Sequence, residues 1–225
     1  MPNIVNVSVT QQVAPAPSKL QQTGAFVSQG GTTLAAGTTQ LLTQVSDLTS
    51  ILRGATTIST MVLSAGTVTV TTATPHGIPT GDIVEVIIAG VIPTAYNGTV
   101  NATSTGTNTF TYVLAGSPGV VTTQGVVTLE DVQELVAMTT TFFAQGANQA
   151  VYILELGVGT PAQGVTALNA YIVSPTIRFY SYLLPKTWDT EPTAWAMANT
   201  YTGTTAQLYF YVTTTIATYT NWETY

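Results

Sequence analysis

The sequence predicts an α/β (α+β) core in βαβαβ order, interrupted by an inserted all-β small barrel or sandwich domain and preceded by an extended N-terminal arm. Three observations predict this. Valines alternate with polar residues near the start of the chain and are followed by spaced prolines. Helical periodicity is absent from residues 58–128, where short β-rich runs are separated by turn signals. From residue 129 onward, helical apolar stripes alternate with apolar β runs. The chain therefore divides into an arm and linker at 1–20, a core at 21–57 plus 129–225, and an insert at 58–128.

In the arm, Ile4 leads into Val5, Val7 and Val9, which alternate with Asn6, Ser8 and Thr10. That is the period-2 pattern of a strand with one buried face. Pro15 and Pro17, separated by Ala16, favour an extended polyproline linker and mark a hinge. A strand cut off from its domain in this way is expected to pair with a distant strand or with another molecule.

The core opens with a strand at Gly24–Ser28 and a turn at Gly30-Gly31-Thr32-Thr33. Leu41, Leu42, Val45, Leu48 and Leu52 recur at three- and four-residue spacing and predict a helix from Thr39 to Leu52. Ser46 or Asp47 is the alternative cap of a shorter helix. Gly54 lies just past the end. In the insert, strands are expected at Thr60–Leu63, Thr67–Thr72, Ile83–Ile88, Thr99–Thr103, Thr109–Leu114 and Gly125–Thr128. Strands this short and this regularly spaced predict a small barrel or sandwich.

After the insert, Thr128 is the expected N-cap of a helix with Glu130 and Asp131 in its first turn. Its stripe runs through Leu129, Val132, Leu135, Val136, Thr139, Phe142 and Phe143 and stops at Gly146. Val151–Leu156 reads as a buried strand, and a helix starts at Pro161 with Val165, Leu168, Tyr171 and Ile172 on its inner face. Ile177–Leu184 is the next strand, Thr190 caps another helix, and Gln207–Val212 is the last strand. This order favours a parallel sheet. The chain ends soon after that strand, so the core is expected to be incomplete there or completed by another chain.

Composition removes several functions. Of 225 residues, 45% are hydrophobic, which is enough for a packed core, but only 6% are charged, against about 25% in ordinary soluble domains. Four Lys and Arg cannot build a surface that tracks phosphates, so nucleic-acid binding is excluded. The absence of Cys excludes disulfides, thiolate metal sites and Cys nucleophiles. A single His excludes multi-His metal sites. No stretch approaches the ~20 apolar residues of a membrane span, and Met1-Pro2-Asn3-Ile4 lacks the basic and apolar regions of a secretory signal. The net charge of −6 is spread thinly. Thr, about one residue in five, well above ordinary usage, supplies a surface that hydrogen-bonds without strong charge. Such a surface suits a protein packed against copies of itself; a neutral extracellular β-protein is the other reading.

Few residues look chemical. Gly157-Val158-Gly159-Thr160-Pro161-Ala162 matches G-x-G-x-x-G/A between a strand and a helix, the setting of a dinucleotide pyrophosphate. Pro161 removes an N–H from that turn, and no acid follows about 20 residues on for the ribose. A strand-to-helix turn with proline at its first position is the expected reading. His76, in Pro75-His76-Gly77 near Asp82 and Glu85, reads as a turn residue without a nucleophile. The helix macrodipole accounts for Glu130, Asp131 and Glu134. Glu155, in a buried strand, is expected to be a core or interface carboxylate paired with Arg178 on a neighbouring strand. Asn97 and Asn101 lie in glycosylation sequons, which matter only in a secretory pathway. Trp188, Trp195 and Trp222 are expected in the core or at an interface rather than on a sugar-binding face. No catalytic, metal or cofactor residue is expected, and the protein reads as a non-enzyme.

Taken together, the chain resembles a contractile-tail sheath protein of a bacteriophage. The resemblance rests on Asn3-Ile4-Val5-Asn6-Val7-Ser8-Val9, on Thr23-Gly24-Ala25-Phe26-Val27-Ser28-Gln29-Gly30-Gly31-Thr32, on Leu41–Leu52, and on Val151-Tyr152-Ile153-Leu154-Glu155-Leu156-Gly157 through Phe179-Tyr180-Ser181-Tyr182-Leu183-Leu184-Pro185. It covers about two-thirds of the chain and leaves out the insert. Val68–Tyr112 looks like a small β-domain that recurs in phage structural proteins. The resemblance implies a subunit of the virion tail, assembled in the host cytoplasm into six-fold rings that stack helically around a tail tube and end at a baseplate. Terminal arms would add strands to neighbouring subunits, and contraction would drive the tube into the host envelope and lead to DNA ejection. Sheath subunits are usually longer, so the C-terminal part of the core is expected to be missing here. The alternative from another class is a baseplate or fibre module that uses the β-insert to hold a host-surface glycan.

Overall fold

The computed structural model describes residues 23–146, 149–201 and 207–214. The arm residues Ile4, Val5, Val7 and Val9, the hinge prolines Pro15 and Pro17, and Trp222 lie outside the described residues. The described residues form a mixed α/β structure with two sheets, one of them a closed six-stranded barrel.

The open sheet begins with β1 (Gly24–Ser28) and β2 (Thr39–Leu42), followed by the short helix α1 (Val45–Thr49). The helix expected from Thr39 to Leu52 is therefore corrected to a strand plus one helical turn. Thr39–Leu42 pairs antiparallel with the strand at Val151–Glu155, which leaves Leu41 exposed and Leu42 buried in strand alternation. Asp47 then ends the strand and starts the helix: one carboxylate oxygen accepts the N–H groups of Thr43 at 2.8 Å and Gln44 at 3.2 Å. The helix is the shorter one, but neither Ser46 nor Asp47 is its N-cap: Gln44 holds that position, and Asp47 lies in the first turn. The Leu spacing misled because Leu42 and Leu48 share one core from two different elements.

The barrel follows: β3 (Thr56–Ser64), β4 (Thr67–Thr72), β5 (Ile83–Ala89), β6 (Gly98–Gly106), β7 (Thr109–Val113) and β8 (Val126–Leu129), closed in the order β3-β4-β7-β6-β5-β8. All six strands expected in the insert are present, with bounds shifted by a few residues where pairing starts or stops away from the apolar run. In β4, Val68 and Val70 point inward and Thr67 and Thr69 outward, the alternation a small barrel requires. Ile58, Val86, Ile88, Ala102 and Phe110 complete the interior. Closure removes every sheet edge from this domain. Thr56 pairs with Val127, so the chain enters and leaves the barrel side by side.

β8 runs directly into α2 (Glu130–Ala144), whose N-cap is Leu129. The expected cap Thr128 lies one residue earlier, paired with Ile87 in the barrel, and Leu129 makes no side-chain cap hydrogen bond. After α2 come β9 (Val151–Glu155), α3 (Pro161–Val173), β10 (Ser181–Leu184), α4 (Pro192–Thr200) and β11 (Tyr209–Val212). Thr160 caps α3 reciprocally with Gln163, and Pro161 occupies its first position. α4 is capped by the Glu191 carboxylate, which accepts the Thr193 N–H at 3.1 Å, rather than by Thr190. The open sheet has the order β11-β10-β1-β9-β2, parallel except for β2. β1 thus separates β9 from β10. Phe26 and Ile153 face α1 and α2, while Ala25, Val27 and Leu154 face α3 and α4; period-2 alternation makes three layers.

Because the barrel's two connections are adjacent strands, removing it should leave a closable gap. Excising residues 58–125 and joining Thr57 to Val126 through Asn-Gly is expected to give a body that still unfolds cooperatively by circular dichroism, at a lower Tm. A product without a cooperative transition would show that the body depends on the barrel to fold.

Candidate functional site

The C-terminal ends of β1 and β9 lie side by side, with Ser28 opposite Glu155. The chain leaving β1 goes toward β2, the barrel and the α2 layer, whereas the chain leaving β9 enters α3 on the other face. Such a divergence opens a crevice at the sheet end, where α/β folds bind ligands. Here the barrel closes over it. A cavity of about 210 Å³ lies between Ile83, Val84 and Glu85 of β5, Glu130 and Asp131 of α2, and Gly159 and Pro161 at the start of α3.

Glu155 organises the crevice. It is 1% exposed. One carboxylate oxygen accepts the N–H groups of Gly30 at 2.8 Å and Gly157 at 2.7 Å. The other accepts the Thr32 N–H at 3.1 Å and the hydroxyls of Thr32 and Ser28, each at 2.7 Å. Gly30 has φ +95° and Gly157 +88°, the left-handed region in which glycine is unstrained. The glycine turn after β9 therefore holds an anion, but the anion is the protein's own carboxylate. The N–H of Thr160 is likewise taken, by Gln163 Oε1 at 3.0 Å. A phosphate has no free donors here from Gly157 or Thr160.

The expected Glu155–Arg178 pair is not formed within the chain. Arg178 is exposed and precedes β10, beyond the Gly24–Ser181 end of the sheet. Glu155 sits at the opposite end, four β1 residues away, or about 13 Å at ~3.3 Å per residue. The cation that does approach the loop is Arg53, whose Nε donates to Gly30 O at 2.6 Å.

Asp131 forms the second half of the site. Its Oδ2 accepts the N–H groups of Gln29 at 3.0 Å and Gly31 at 2.9 Å and contacts Ser28 Oγ at 2.8 Å. Burial, reinforced by the Glu155 charge and opposed by these hydrogen bonds, pushes its carboxyl up to about 7. Burial likewise pushes Glu134 up to about 8, although its Oε1 accepts the Lys186 N–H at 2.7 Å. Glu130 is also raised, by burial and then by Glu85. A macrodipole account of these three acids is insufficient. The missed signal was spacing: Asp131 stands four residues before Leu135, so it shares the buried face of α2. Gly31 leaves no room for a side chain, since a Cβ would lie 2.4 Å from Asp131 Oδ2 and 2.7 Å from Leu135.

Gln29 ties the crevice to the far layer. Its Oε1 accepts the Trp188 indole N–H at 2.7 Å, and its amide donates to Thr160 O. Trp188 is buried and Trp195 on α4 is exposed, and both line a small cavity with Phe210 and Tyr211. His76 is a buried barrel residue. Its Nε2 lies 2.9 Å from Gly106 O, and its Nδ1 accepts the Ile78 N–H at 3.1 Å. Both ring nitrogens are engaged with backbone, as is the Asn97 amide, on Val91. Among the described residues no group of three or more His, Cys, Asp or Glu is placed to hold a metal ion.

Comparison with protein-family models, with curated proteins and with solved structures finds no match for the chain.

Glu155→Gln puts an NH₂ where one of these carboxylate oxygens faces only donors. We expect a loss of about 3 kcal/mol in urea denaturation, with the barrel and sheet retained by circular dichroism. A loss under about 1 kcal/mol would show that the loop does not depend on this ion.

Proposed function

We propose that the protein is a structural, self-assembling subunit of a contractile phage-tail sheath, working in the virion with tail tube and baseplate and without catalysis. The observation that carries this reading is the open edge of the sheet. Among the described residues β11 pairs only with β10, and it presents Tyr209 and Tyr211, 37% and 56% exposed, without a charged residue in the strand. Unprotected strands of this kind recruit another strand. In this reading residues 1–20 are an extended arm, and Ile4, Val5, Val7 and Val9 add a strand to a neighbouring copy. Pro15 and Pro17 act as the hinge that lets rings shift while the strand stays paired. Each backbone hydrogen bond contributes about 0.5–1.5 kcal/mol, so a short arm repeated along a polymer is a substantial tether.

The barrel surface supports the same reading. Between Thr56 and Leu129 there is no Lys or Arg, and the two carboxylates are Asp82 and Glu85. Asp82 Oδ1 accepts from Gln163 of α3 at 3.2 Å, and Glu85 lines the junction cavity. The outer barrel is left with threonines and exposed Val62 and Val113, a face that packs beside copies without charge repulsion.

Electron microscopy of the full chain is expected to show rings or tubes. Deleting residues 1–12 should abolish them and leave the circular dichroism spectrum unchanged. Polymers that persist without the arm would refute strand donation, and discrete trimers of the full chain would favour the glycan-binding fibre module.

A further inference from the structure

The unassigned feature with the most physical content is the group of carboxylates where α2 meets the sheet. Ser28 Oγ lies 2.8 Å from Asp131 Oδ2 and 2.7 Å from Glu155 Oε2, and it accepts the Gly31 N–H at 3.1 Å. One hydroxyl carries one hydrogen. If Ser28 donates to Glu155, its oxygen faces a second carboxylate oxygen at hydrogen-bond distance. That contact is attractive only with another proton between them. The deficit recurs around Asp131: Glu130 Oε2 just before it, Glu134 Oε2 about a turn further along the helix and, from the barrel, Asp82 Oδ2 are buried without a hydrogen-bond partner. No three acids are grouped to hold a metal ion among the described residues, and the Lys186 charge acts on Glu130 and Glu134 against several carboxylates, so protons supply the rest of the counter-charge.

We infer that this cluster is a proton-held joint between the barrel and the α/β body, closed while Asp131 and Glu134 are protonated and released as they ionise. The lever is covalent. Leu129 ends β8 and caps α2, so the start of α2 carries the barrel. Asp131 fastens that start to the β1 loop through Gln29 and Gly31. Glu134 fastens the next turn to Lys186, just past β10.

Burial first, and then the charges facing the joint, make ionisation open it, against the hydrogen bonds from Ser28, Gln29, Gly31 and Lys186, which favour the ionised form. β9 presents Glu155, α2 itself Glu130, and the barrel Glu85 and Asp82. α3 presents only the neutral Gln163. Asp47 of α1 is exposed and bound to Thr43 and Gln44. Against these stand Lys186 and Arg53, and the Arg53 guanidinium is spent on the carbonyls of Gly30 and Thr32. Asp131 at about 7 and Glu134 at about 8 both lie above their ordinary values of 3.8 and 4.5. The closed state therefore holds more protons than the open one. Closure is strongest below about pH 4 and weakens as pH rises toward 8, by up to about tenfold per pH unit for each group.

The chain has no native Cys, so spin labels can be placed through two engineered cysteines on the full-length protein. Val113 on the barrel and Val173 at the end of α3 are 83% and 75% exposed. Pulsed electron spin resonance is expected to give a narrower distance distribution at about pH 5.5 than at about pH 9. Asp131→Asn and Glu134→Gln should each reduce the broadening, and the double variant should stay narrow at both pH values. A distribution that does not change with pH, or unchanged broadening in both variants, would overturn the joint. Should Asp131→Asn fail to fold, carboxyl carbon NMR of the unsubstituted protein decides: an Asp131 titration below about pH 5 refutes it. None of these readouts depends on the sheath reading.

Discussion

Burying the Glu155 carboxylate would cost several kcal/mol if the ion were left unpartnered, and five donors converge to prevent that. Four of them come from Ser28, Gly30 and Thr32, so the chain leaving β1 must fold back across the end of β9. That path needs glycine at 30 for its positive φ and at 31 for contact with α2. Arg53 then clasps the carbonyls of the same loop, three residues before the barrel begins at Thr56. One satisfied ion thus sets a loop, and the loop sets where the barrel sits.

The same arrangement decides what the crevice is not. Its position at the end of a parallel sheet and its glycine turn are those of a nucleotide site, yet the donors that would cradle phosphate are taken by Glu155. What remains around the cavity is acidic. Asp131, Glu134 and Glu130 are drawn inward on the buried side of α2, and each holds its proton more tightly than an exposed acid.

Charge is therefore distributed unevenly. A chain with ten carboxylates gathers six of them, Asp82, Glu85, Glu130, Asp131, Glu134 and Glu155, at one junction. The outer barrel is left to threonine and valine, and the β11 edge to tyrosine. Surfaces without fixed charge associate with little electrostatic penalty, which suits assembly from copies, while the junction holds the groups that respond to pH.

The barrel strands, β1 and α3 were legible because each carries a local signal: alternation between Thr and Val, a turn dipeptide, a Thr-Pro start. Sequence alone also determined the poverty of charge and the lack of Cys. The Thr39–Leu52 region was misread because helix and strand patterns coincide when Leu42 and Leu48 fill one core from two elements. The partners of Glu155 could not be read from sequence at all. Matching an acid to a cation such as Arg178 fails for a carboxylate held by backbone N–H groups, which every residue but proline carries alike. Which of those groups meet depends on β1 lying between β9 and β10, and strand order is set by packing across the whole domain rather than by any local run of residues.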